Sequence, residues 1–385
     1  IRSPEEAGTI SGRIYAVSTL GSFIGTFLPV LVMIPLIGTT RTFFVFGAFL
    51  CLVALLGLWM SSGWRATLPW LWMPLILILL AWLGVSKTIK TTAGQIYETE
   101  SAYNYIQVLE KNGYRYLRLN EGQGFHSVYH PTQLMTYGPW MQFLAAPFFN
   151  EPPYEPERVQ RIAIIGLAAG TLARQATAAF GAVPIDGFEI DPKIIEVGRQ
   201  FFDMNQPNLN AIAMDGRWGL EKSPYRYSLI AVDAYRPPYI PWHLTTKEFF
   251  EIARDHLEED GVLAVNVGRA PDDRRLVDGL VGTISTSFPS IYVTDVPESF
   301  NTIIYATAQP TRFENLYANL INLSQREDVH PILLEAVKIA AITRVPTPPS
   351  DIVYTDDLAP IEWITNHMVL NYVLFGDKEA IHGLP

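Results

Sequence analysis

Four short apolar runs in the middle of the chain each lead to a residue that could bind a ligand or move a proton. These residues are Gly166, Glu189, Asp215 and Asp233. In an open sheet of parallel strands, ligands bind beyond the carboxyl ends of the strands, near the point where the strand order reverses. We therefore expect the four residues to lie at one edge of such a sheet and to form one site.

Gly166 and Gly170 bracket the first of these turns, which leads into a helical stretch ending at Phe180. Backbone N–H groups at the start of a helix, with small side chains around them, let a nucleotide or nucleoside come close. Small residues are also common in any strand-to-helix turn. Both interpretations of the two glycines stay open at this stage.

The three carboxylates suggest separate roles. Glu189 lies 23 residues after Gly166, a distance at which an acidic residue typically accepts hydrogen bonds from ribose hydroxyls; the alternative is an exposed loop carboxylate. Asp215 and Gly216 could meet an adenine amino group or form a plain turn. Asp233 could take a proton from an attacking amine, or it could cap a helix or turn.

Other chemistry has little support in the sequence. No phosphate-binding Walker loop is present. His126 and His130 are four residues apart, but Pro131 follows them and no third ligand is evident. The single cysteine, Cys51, excludes a disulfide within the chain and a cysteine-based metal site. We expect no metal.

The elements that must position these residues follow from the patterning. After residue 90, apolar and polar residues alternate, with a turn at Lys111–Asn112–Gly113, which predicts a small antiparallel β region over 91–150. From 151 to 315 strands alternate with helical stretches, which predicts a Rossmann-like α/β domain with a doubly wound, mostly parallel sheet. The proline-rich run FFNEPPYEPER between them is typical of a linker. Residues 316–385 form a predicted helical C-terminal extension.

The first 90 residues have a different character. They hold six Lys or Arg and two Asp or Glu, and three uncharged stretches of 27, 23 and 21 residues separate successive basic residues. A helix needs roughly 20 apolar residues to cross a bilayer. The sequence therefore predicts transmembrane helices at about 14–38, 42–62 and 67–86; three buried helices of a soluble core are the alternative.

The rest of the chain is acidic. Residues 91–385 contain 22 Lys or Arg and 36 Asp or Glu, a net charge of −14. Non-specific nucleic-acid binding requires basic charge that neutralises phosphates, so we expect no nucleic-acid partner. The expected partner is the lipid bilayer. The basic residues that flank the predicted spans are too few to set an orientation.

As a set, four stretches resemble the polyamine aminopropyltransferases, or spermidine synthases, and more closely their membrane-fused branch. They are GRIYAVSTLGSFIGTFLPV, YETESAYNYIQV, VDAYRPPYIPWHLTTKEFF and YTDDLAPIEW. The resemblance implies a methyltransferase-type Rossmann-like domain that binds an adenosyl ligand without a metal or a tightly bound cofactor. Decarboxylated S-adenosylmethionine, S-adenosylmethionine and methylthioadenosine are the ligands it implies.

Carried over by position, the resemblance also assigns residue roles. Gln123 would lie near the nucleoside, Glu189 would bind the ribose, and Asp215 and Gly216 would hold the adenine. Asp233 would be the catalytic base that deprotonates the amine nucleophile. The two glycines of the first turn would belong to the nucleoside site.

The chain departs from the family where the polyamine would bind. Its first loop reads IGLAAGT, so that Ala168 stands at the place of the aspartate that binds the aminopropyl ammonium, and Leu167 and Ala169 replace two glycines. After the fourth strand, Arg236 replaces the family's second aspartate. A cation at that point repels a diamine, so a neutral or anionic acceptor fits better.

Two functions follow. One is a transferase that moves an aminopropyl or related group from an adenosyl sulfonium donor, with its soluble domain on the cytoplasmic side of the cell membrane. The other is a non-catalytic accessory subunit of a larger membrane complex that keeps the synthase fold. Further partners would then be other subunits of that complex, or a second copy of the chain. A transporter is a weak third class, because the spans hold no charge.

Overall fold

The structure is a computed structural model that describes residues 4–84, 89–120, 124–136, 138–235, 239–347 and 349–375. The chain forms two compact units, Ile1–Glu110 and Lys111–Pro385. The division falls at the end of the second strand of the β region, whereas the sequence predicts boundaries near residues 90 and 150.

The first unit opens with helices that are rich in apolar side chains. A π-helical turn at Pro29–Met33 connects the first two helices. It begins at a proline, which lacks the N–H that continues an α-helix. In chain order, the helices are α1 Pro4–Leu28, α2 Ile34–Ile37, α3 Thr39–Ser62, α4 Trp64–Thr67 and α5 Trp72–Gly84, with a 3-10 turn at Leu68–Trp70.

Within the described residues, these segments give three helices long and apolar enough to cross a membrane. They cover Gly8–Ile37, Thr39–Ser62 and Trp64–Leu83, with lengths of 30, 24 and 20 residues. Their apolar cores are not buried inside the protein. The prediction of three long apolar helices is therefore confirmed, and the first begins earlier than predicted.

Strands β1 (Gln95–Glu100) and β2 (Tyr105–Lys111) form an antiparallel pair in the same unit. The carboxylate of Glu100 accepts hydrogen bonds from the backbone N–H of Thr39 at 2.7 Å and from its hydroxyl at 2.6 Å. An anion is favoured at this point because it faces the positive end of the α3 dipole. The turn between α2 and α3 therefore lies beside β1.

The second unit begins at the predicted hairpin turn. Asn112 and Gly113 have φ values of 54° and 81°, as expected for a two-residue turn between antiparallel strands. Strand β3 (Tyr114–Leu119) follows and pairs antiparallel with β4 (Ser127–Tyr129). The small antiparallel region predicted from the alternation is present.

The α/β part follows, with 3-10 turns at Phe143–Phe149, Pro156–Arg158 and Trp242–Leu244. Its remaining elements are, in chain order, α6 Pro139–Gln142, β5 Ile162–Ile165, α7 Thr171–Phe180, β6 Ile185–Glu189, α8 Pro192–Phe201, β7 Leu209–Ala213, α9 Gly216–Glu221, β8 Tyr227–Val232, α10 Lys247–Asp255, β9 Leu257–Gly268, α11 Arg275–Ile284, β10 Ser290–Asp295, β11 Asn301–Thr307, α12 Glu314–Ser324, α13 Pro331–Ile342, β12 Arg344–Val345 and α14 Ile361–Phe375.

Eight strands form the main sheet, in the order β12-β10-β11-β9-β8-β5-β6-β7. Strands β7, β6, β5, β8 and β9 run parallel to one another, and β11, β10 and β12 join antiparallel. The chain leaves β5 toward β6 and β7, and then returns to place β8 on the other side of β5. This reversal of strand order creates the crevice in which ligands of doubly wound sheets bind, and the Rossmann-like prediction is confirmed.

Both faces of the sheet are buried. Along each strand, successive side chains point to opposite faces, so one strand contributes to two apolar clusters. In β5, Ile162 and Ile164 join one apolar cluster, and Ala163 and Ile165 join the other. The first cluster is covered by α7, α8, α12 and α13, and the second by α9, α10, α11 and α14.

Two segments differ from the sequence prediction. The run predicted as a linker is packed: Phe148, Phe149 and Tyr154 are fully buried, and Phe149 stacks on Tyr292 with ring centroids 4.8 Å apart. Burial of its aromatic rings outweighs the tendency of its polar residues and prolines to form an exposed linker. The predicted helical extension contains α12, α13 and α14, but it also adds β12 to the sheet and contributes to the core.

Candidate functional site

The ends of the parallel strands meet at one edge of the sheet. Backbone hydrogen bonds there run from Asp233 N–H to the carbonyl of Ile165 (2.8 Å), from Gly166 N–H to Phe188 (2.9 Å) and from Met214 N–H to Glu189 (3.0 Å). The four residues predicted from the strand ends therefore lie in neighbouring positions. The edge between β5 and β8, where the strand order reverses, holds Gly166 and Asp233.

Gly166 allows the chain after β5 to pass directly against the chain after β8. Its φ is 87°, and a Cβ on it would lie 2.5 Å from the carbonyl oxygen of Asp233 and 2.7 Å from Ala234. A Cβ on Gly170 would lie 2.8 Å from the sulfur of Met204. Packing within the protein therefore accounts for both glycines.

The loop after Gly166 is held by backbone donors. Ala168 N–H donates to Glu189 at 2.9 Å, and Ala169 N–H donates to the hydroxyl of Ser127 at 2.9 Å. The side chain of Leu167 is buried against Gly187 in the sheet. Leu167 therefore belongs to the core and does not occupy the strand-end edge.

Glu189 is buried rather than exposed on a loop. One of its oxygens accepts from Ala168 N–H, and the other accepts from Asp191 N–H at 3.1 Å. Burial raises the pKa of Glu189 to about 7, although these two N–H groups favour the ionised form. Its carboxylate is fixed in orientation, and each oxygen keeps a second lone pair for a further donor.

Asp215 caps the N-terminus of α9, a role that differs from the plain turn given as its simpler interpretation. Its side chain accepts from Trp218 N–H at 3.1 Å and from Nε2 of His243 at 2.8 Å. The hydrogen bond from His243 holds the pKa of Asp215 below its usual range, against the opposing effect of burial. A Cβ on Gly216 would lie 2.3 Å from Cγ2 of Ile165, so this glycine also packs closely.

Asp233 has the environment expected of a proton acceptor that works near neutral pH. Its Oδ1 accepts from the side-chain amide of Asn266 at 2.7 Å, and the indole of Trp140 also favours the ionised form. Burial raises the pKa of Asp233 to about 7 despite these two groups. Oδ1 of Asn266 is buried and has no hydrogen-bond partner among the described residues.

The segment after Asp233 is held against the neighbouring strand. The hydroxyl of Tyr235 accepts a hydrogen bond from Gly268 N–H at the end of β9, and burial raises the pKa of this tyrosine. Two residues singled out in the sequence, Gln123 and Arg236, lie outside the described residues.

The structure adds three side chains that the sequence does not point to. Asn266 is the one polar side chain in the apolar run GVLAVNVG, a signal that could have marked it. His243 lies within the aromatic stretch after Asp233, where the sequence drew attention to the rings instead. Trp140 lies almost a hundred residues before Asp233, and nothing in its sequence context indicates the contact.

The amino-acid sequence is similar to those of known proteins. Residues 150–317 match the spermine/spermidine synthase domain. A probable polyamine aminopropyl transferase of Bifidobacterium longum is 29% identical over 287 residues, which make up 71% of this chain and 63% of that protein. A polyamine aminopropyltransferase of Vibrio vulnificus is 29% identical over 222 residues, 54% of this chain and 70% of its own length. The chain thus spans less than two thirds of the first relative.

Solved structures show the same fold. A probable spermidine synthase from Corynebacterium glutamicum superimposes with a TM-score of 0.51 at 18% identity, over 67% of this chain and 97% of that one. The spermidine synthase of Thermotoga maritima gives 0.50 at 17% identity, over 66% and 84%. The chain therefore contains a spermidine synthase-like domain, which follows three long apolar helices.

Proposed function

We propose that the chain is a membrane-anchored transferase that moves an aminopropyl or related alkyl group from an adenosyl sulfonium donor, with Asp233 as the base. The observation that carries this proposal is the environment of Asp233. The carboxyl lies at the reversal of strand order and accepts a hydrogen bond from Asn266, and burial raises its pKa to about 7. A base is most effective when its pKa lies near the working pH.

The reaction needs only positioning and removal of a proton. The acceptor nitrogen attacks the carbon next to the sulfonium, the new N–C bond forms, and the C–S bond breaks. The electron pair of that bond returns to sulfur, which leaves as a neutral thioether, and the proton of the nitrogen passes to Asp233. A sulfonium is a good leaving group, so orientation and proton transfer supply most of the acceleration.

The donor's nucleoside fits the residues that flank Gly166. Glu189 is already oriented by two backbone N–H groups, and its remaining lone pairs would accept the ribose hydroxyls. Asp215 is engaged by His243 and Trp218, so its backbone neighbours, including Gly216, would make the adenine contact. Gln123 stays a prediction for the same nucleoside.

The acceptor we propose is neutral or anionic rather than a polyamine. Arg236 stands where the family has its second aspartate, and a cation at that point would repel a diamine.

A second candidate is the accessory subunit without catalysis. The pairing of Asp215 with His243 favours it, because a carboxylate predicted to hold adenine already has a partner within the protein. The replacement of the ammonium-binding aspartate by Ala168 points the same way. In either function, we propose that the helices cross the cell membrane and that the domain faces the cytoplasm, where adenosylmethionine derivatives occur.

Titration of the full chain in detergent separates the two functions. The ligands are methylthioadenosine, S-adenosylmethionine and its decarboxylated form. Turnover is then measured with a panel of neutral and anionic amines. We expect the decarboxylated donor to bind and methylthioadenosine to be released. The rate should rise with pH through about 7, because the base must first lose its proton.

Asp233→Asn is the decisive variant. We expect it to keep donor binding and to lose turnover about 10²- to 10⁴-fold, while Asp357→Asn, at an exposed carboxylate, leaves both unchanged. Unchanged turnover in Asp233→Asn would remove Asp233 from the mechanism. Failure of every adenosyl ligand to bind the unsubstituted chain would favour the accessory subunit.

A further inference from the structure

Helix α14 has one face in the core and a second apolar face outside it. Its inner residues are Ile361, Ile364, Thr365 and Met368, which are buried, and the two isoleucines belong to the cluster formed with α10 and α11. The spacing of these residues corresponds to one stripe of a helix. α14 is therefore docked on the domain and is not a span of its own.

The opposite face is apolar as well. Trp363, Leu370 and Leu374 are 57%, 53% and 59% exposed, and their spacing of seven and four residues places them on one line along the helix. His367 lies on the same line and packs against Trp363, with ring centroids 4.1 Å apart. This outward stripe holds no Asp, Glu, Lys or Arg.

More apolar side chains are exposed on the same helix. They are Val369, Val373 and Phe375, beside the uncharged polar Asn366 and Asn371. Glu362 in the first turn is the one Asp, Glu, Lys or Arg between residues 361 and 375. Three further exposed side chains, Ile352, Val353 and Leu358, lie in the segment that leads into α14. Soluble surfaces seldom carry such concentrated apolar area unless a partner covers it.

We propose that α14 lies flat at the boundary between headgroups and acyl chains of the bilayer. The helix has 15 residues, or about 22 Å of length, which is too short for the roughly 30 Å of a hydrocarbon core. A docked helix with an apolar outer face and a tryptophan near its start suits the interface. The same chain carries three helices long and apolar enough to span a membrane, so the apolar partner that we propose for the stripe is a bilayer.

The charge of the protein indicates which lipid headgroups the contact favours. Residues 91–385 have a net charge of −14, which disfavours anionic headgroups, and the stripe offers no basic group to attract them. The contact therefore depends on apolar burial and should form on zwitterionic lipid. It should also be insensitive to salt, unlike the binding of a basic amphipathic helix.

Helix α14 also contacts a residue six positions after Asp233. The hydroxyl of Tyr239 donates a hydrogen bond to Oδ1 of Asn366 at 2.6 Å. The surface contact itself does not depend on the proposed reaction.

Spin labelling of the full chain in zwitterionic lipid nanodiscs tests the proposal. Cysteine is introduced by Leu370→Cys in a Cys51→Ser background, and Ile321→Cys serves as the matched control because Ile321 is 59% exposed on α12. Collisions of the nitroxide with dissolved oxygen and with a water-soluble nickel chelate report whether it lies in lipid or in water. Thermal unfolding in detergent checks that each labelled chain is folded.

We expect the label at position 370 to favour oxygen over nickel, at a depth of about 5–10 Å, and the label at 321 to show the reverse ratio. The result at 370 should persist in high salt. An aqueous ratio at both positions would overturn the proposal. A short distance between two labels at position 370 would also overturn it, because a second copy of the chain would then cover the stripe.

Discussion

Gly166 and Asp233 show how one missing side chain shapes the candidate site. The chain after β5 approaches the carbonyl of Asp233 so closely that a single added carbon at Gly166 would lie 2.5 Å from it. The same residue has φ of 87°, a region in which side chains are rarely found. The position of Asp233 therefore depends on two separate properties of Gly166.

Gly166→Ala should destabilise the protein by about 2–4 kcal/mol, because it combines left-handed strain with a clash against backbone atoms. Gly181→Ala is the matched control: its φ is 78°, and no heavy atom lies within 4 Å of the added carbon. Its ψ of −163° lies in a region essentially restricted to glycine, so we expect backbone strain alone to cost about 1–3 kcal/mol. The measurement is thermal unfolding of the full chain in detergent, and equal losses in the two variants would contradict the close approach.

At the scale of residues, the sequence locates the site but not its internal contacts. Positions after apolar runs identify Gly166, Glu189 and Asp233, because strand ends follow from periodicity. Which donor reaches Asp233 depends on how distant segments pack, and Asn266 comes from another part of the chain. A residue's partners are a tertiary property, so the sequence leaves them open.

At the scale of elements, Glu100 joins the strand β1 to the first turn of α3. Its carboxylate accepts both the backbone N–H and the hydroxyl of Thr39. A charged acceptor at a helix N-terminus is favoured by both the hydrogen bonds and the helix dipole. The strand pair is thereby fixed to the joint between two apolar helices.

Glu100→Ala should lower the free energy of unfolding by about 1–2 kcal/mol. Glu100→Gln should recover part of the loss, because its amide oxygen still accepts a hydrogen bond while the charge is gone. Glu259→Ala, at an exposed carboxylate, is the control. Chemical denaturation in detergent gives the comparison; a loss in Glu100→Ala no larger than in Glu259→Ala would show that the cap adds nothing.

Elements with a clear period are also those that the sequence predicts. The long apolar helices and the parallel strands each consist of a continuous, mainly apolar run of residues. The segment around Phe149 has no period and many prolines, yet its rings pack beside β10. Strand β12 has two residues, too few for any pattern, and only its pairing with β10 reveals it.

At the scale of the whole molecule, the three long apolar helices would place successive turns on alternate sides of a membrane if each crosses it, as we propose. The contact of Glu100 with Thr39 requires the turn at Gly38 to be on the side of β1. We therefore predict that an impermeant maleimide reaches Thr40→Cys and Tyr103→Cys from one side of a sealed vesicle, and Ser62→Cys from the other, each in a Cys51→Ser background. Labelling of positions 40 and 62 from one side would contradict this arrangement.

The fold as a whole is well specified by sequence, while its chemistry is specified in part. Composition separates the apolar helices from the acidic remainder, and alternating strands and helices give the doubly wound sheet. The strand-end positions of Gly166, Glu189, Asp215 and Asp233 follow from the apolar runs before them, while their roles toward a nucleoside stay predictions. The acceptor does not, because the residues that depart from the family, such as Ala168, remove a known partner without naming a new one.

The contact between Glu100 and Thr39 also sets an order of events during synthesis. The two residues are 61 positions apart, which at 5–20 residues per second means a delay of about 3–12 seconds. The second apolar helix must therefore leave the ribosome and enter its surroundings before its capping carboxylate has been made. The joint closes only after the third helix and β1 have followed, so the beginning of α3 is one of the last parts of its unit to be completed.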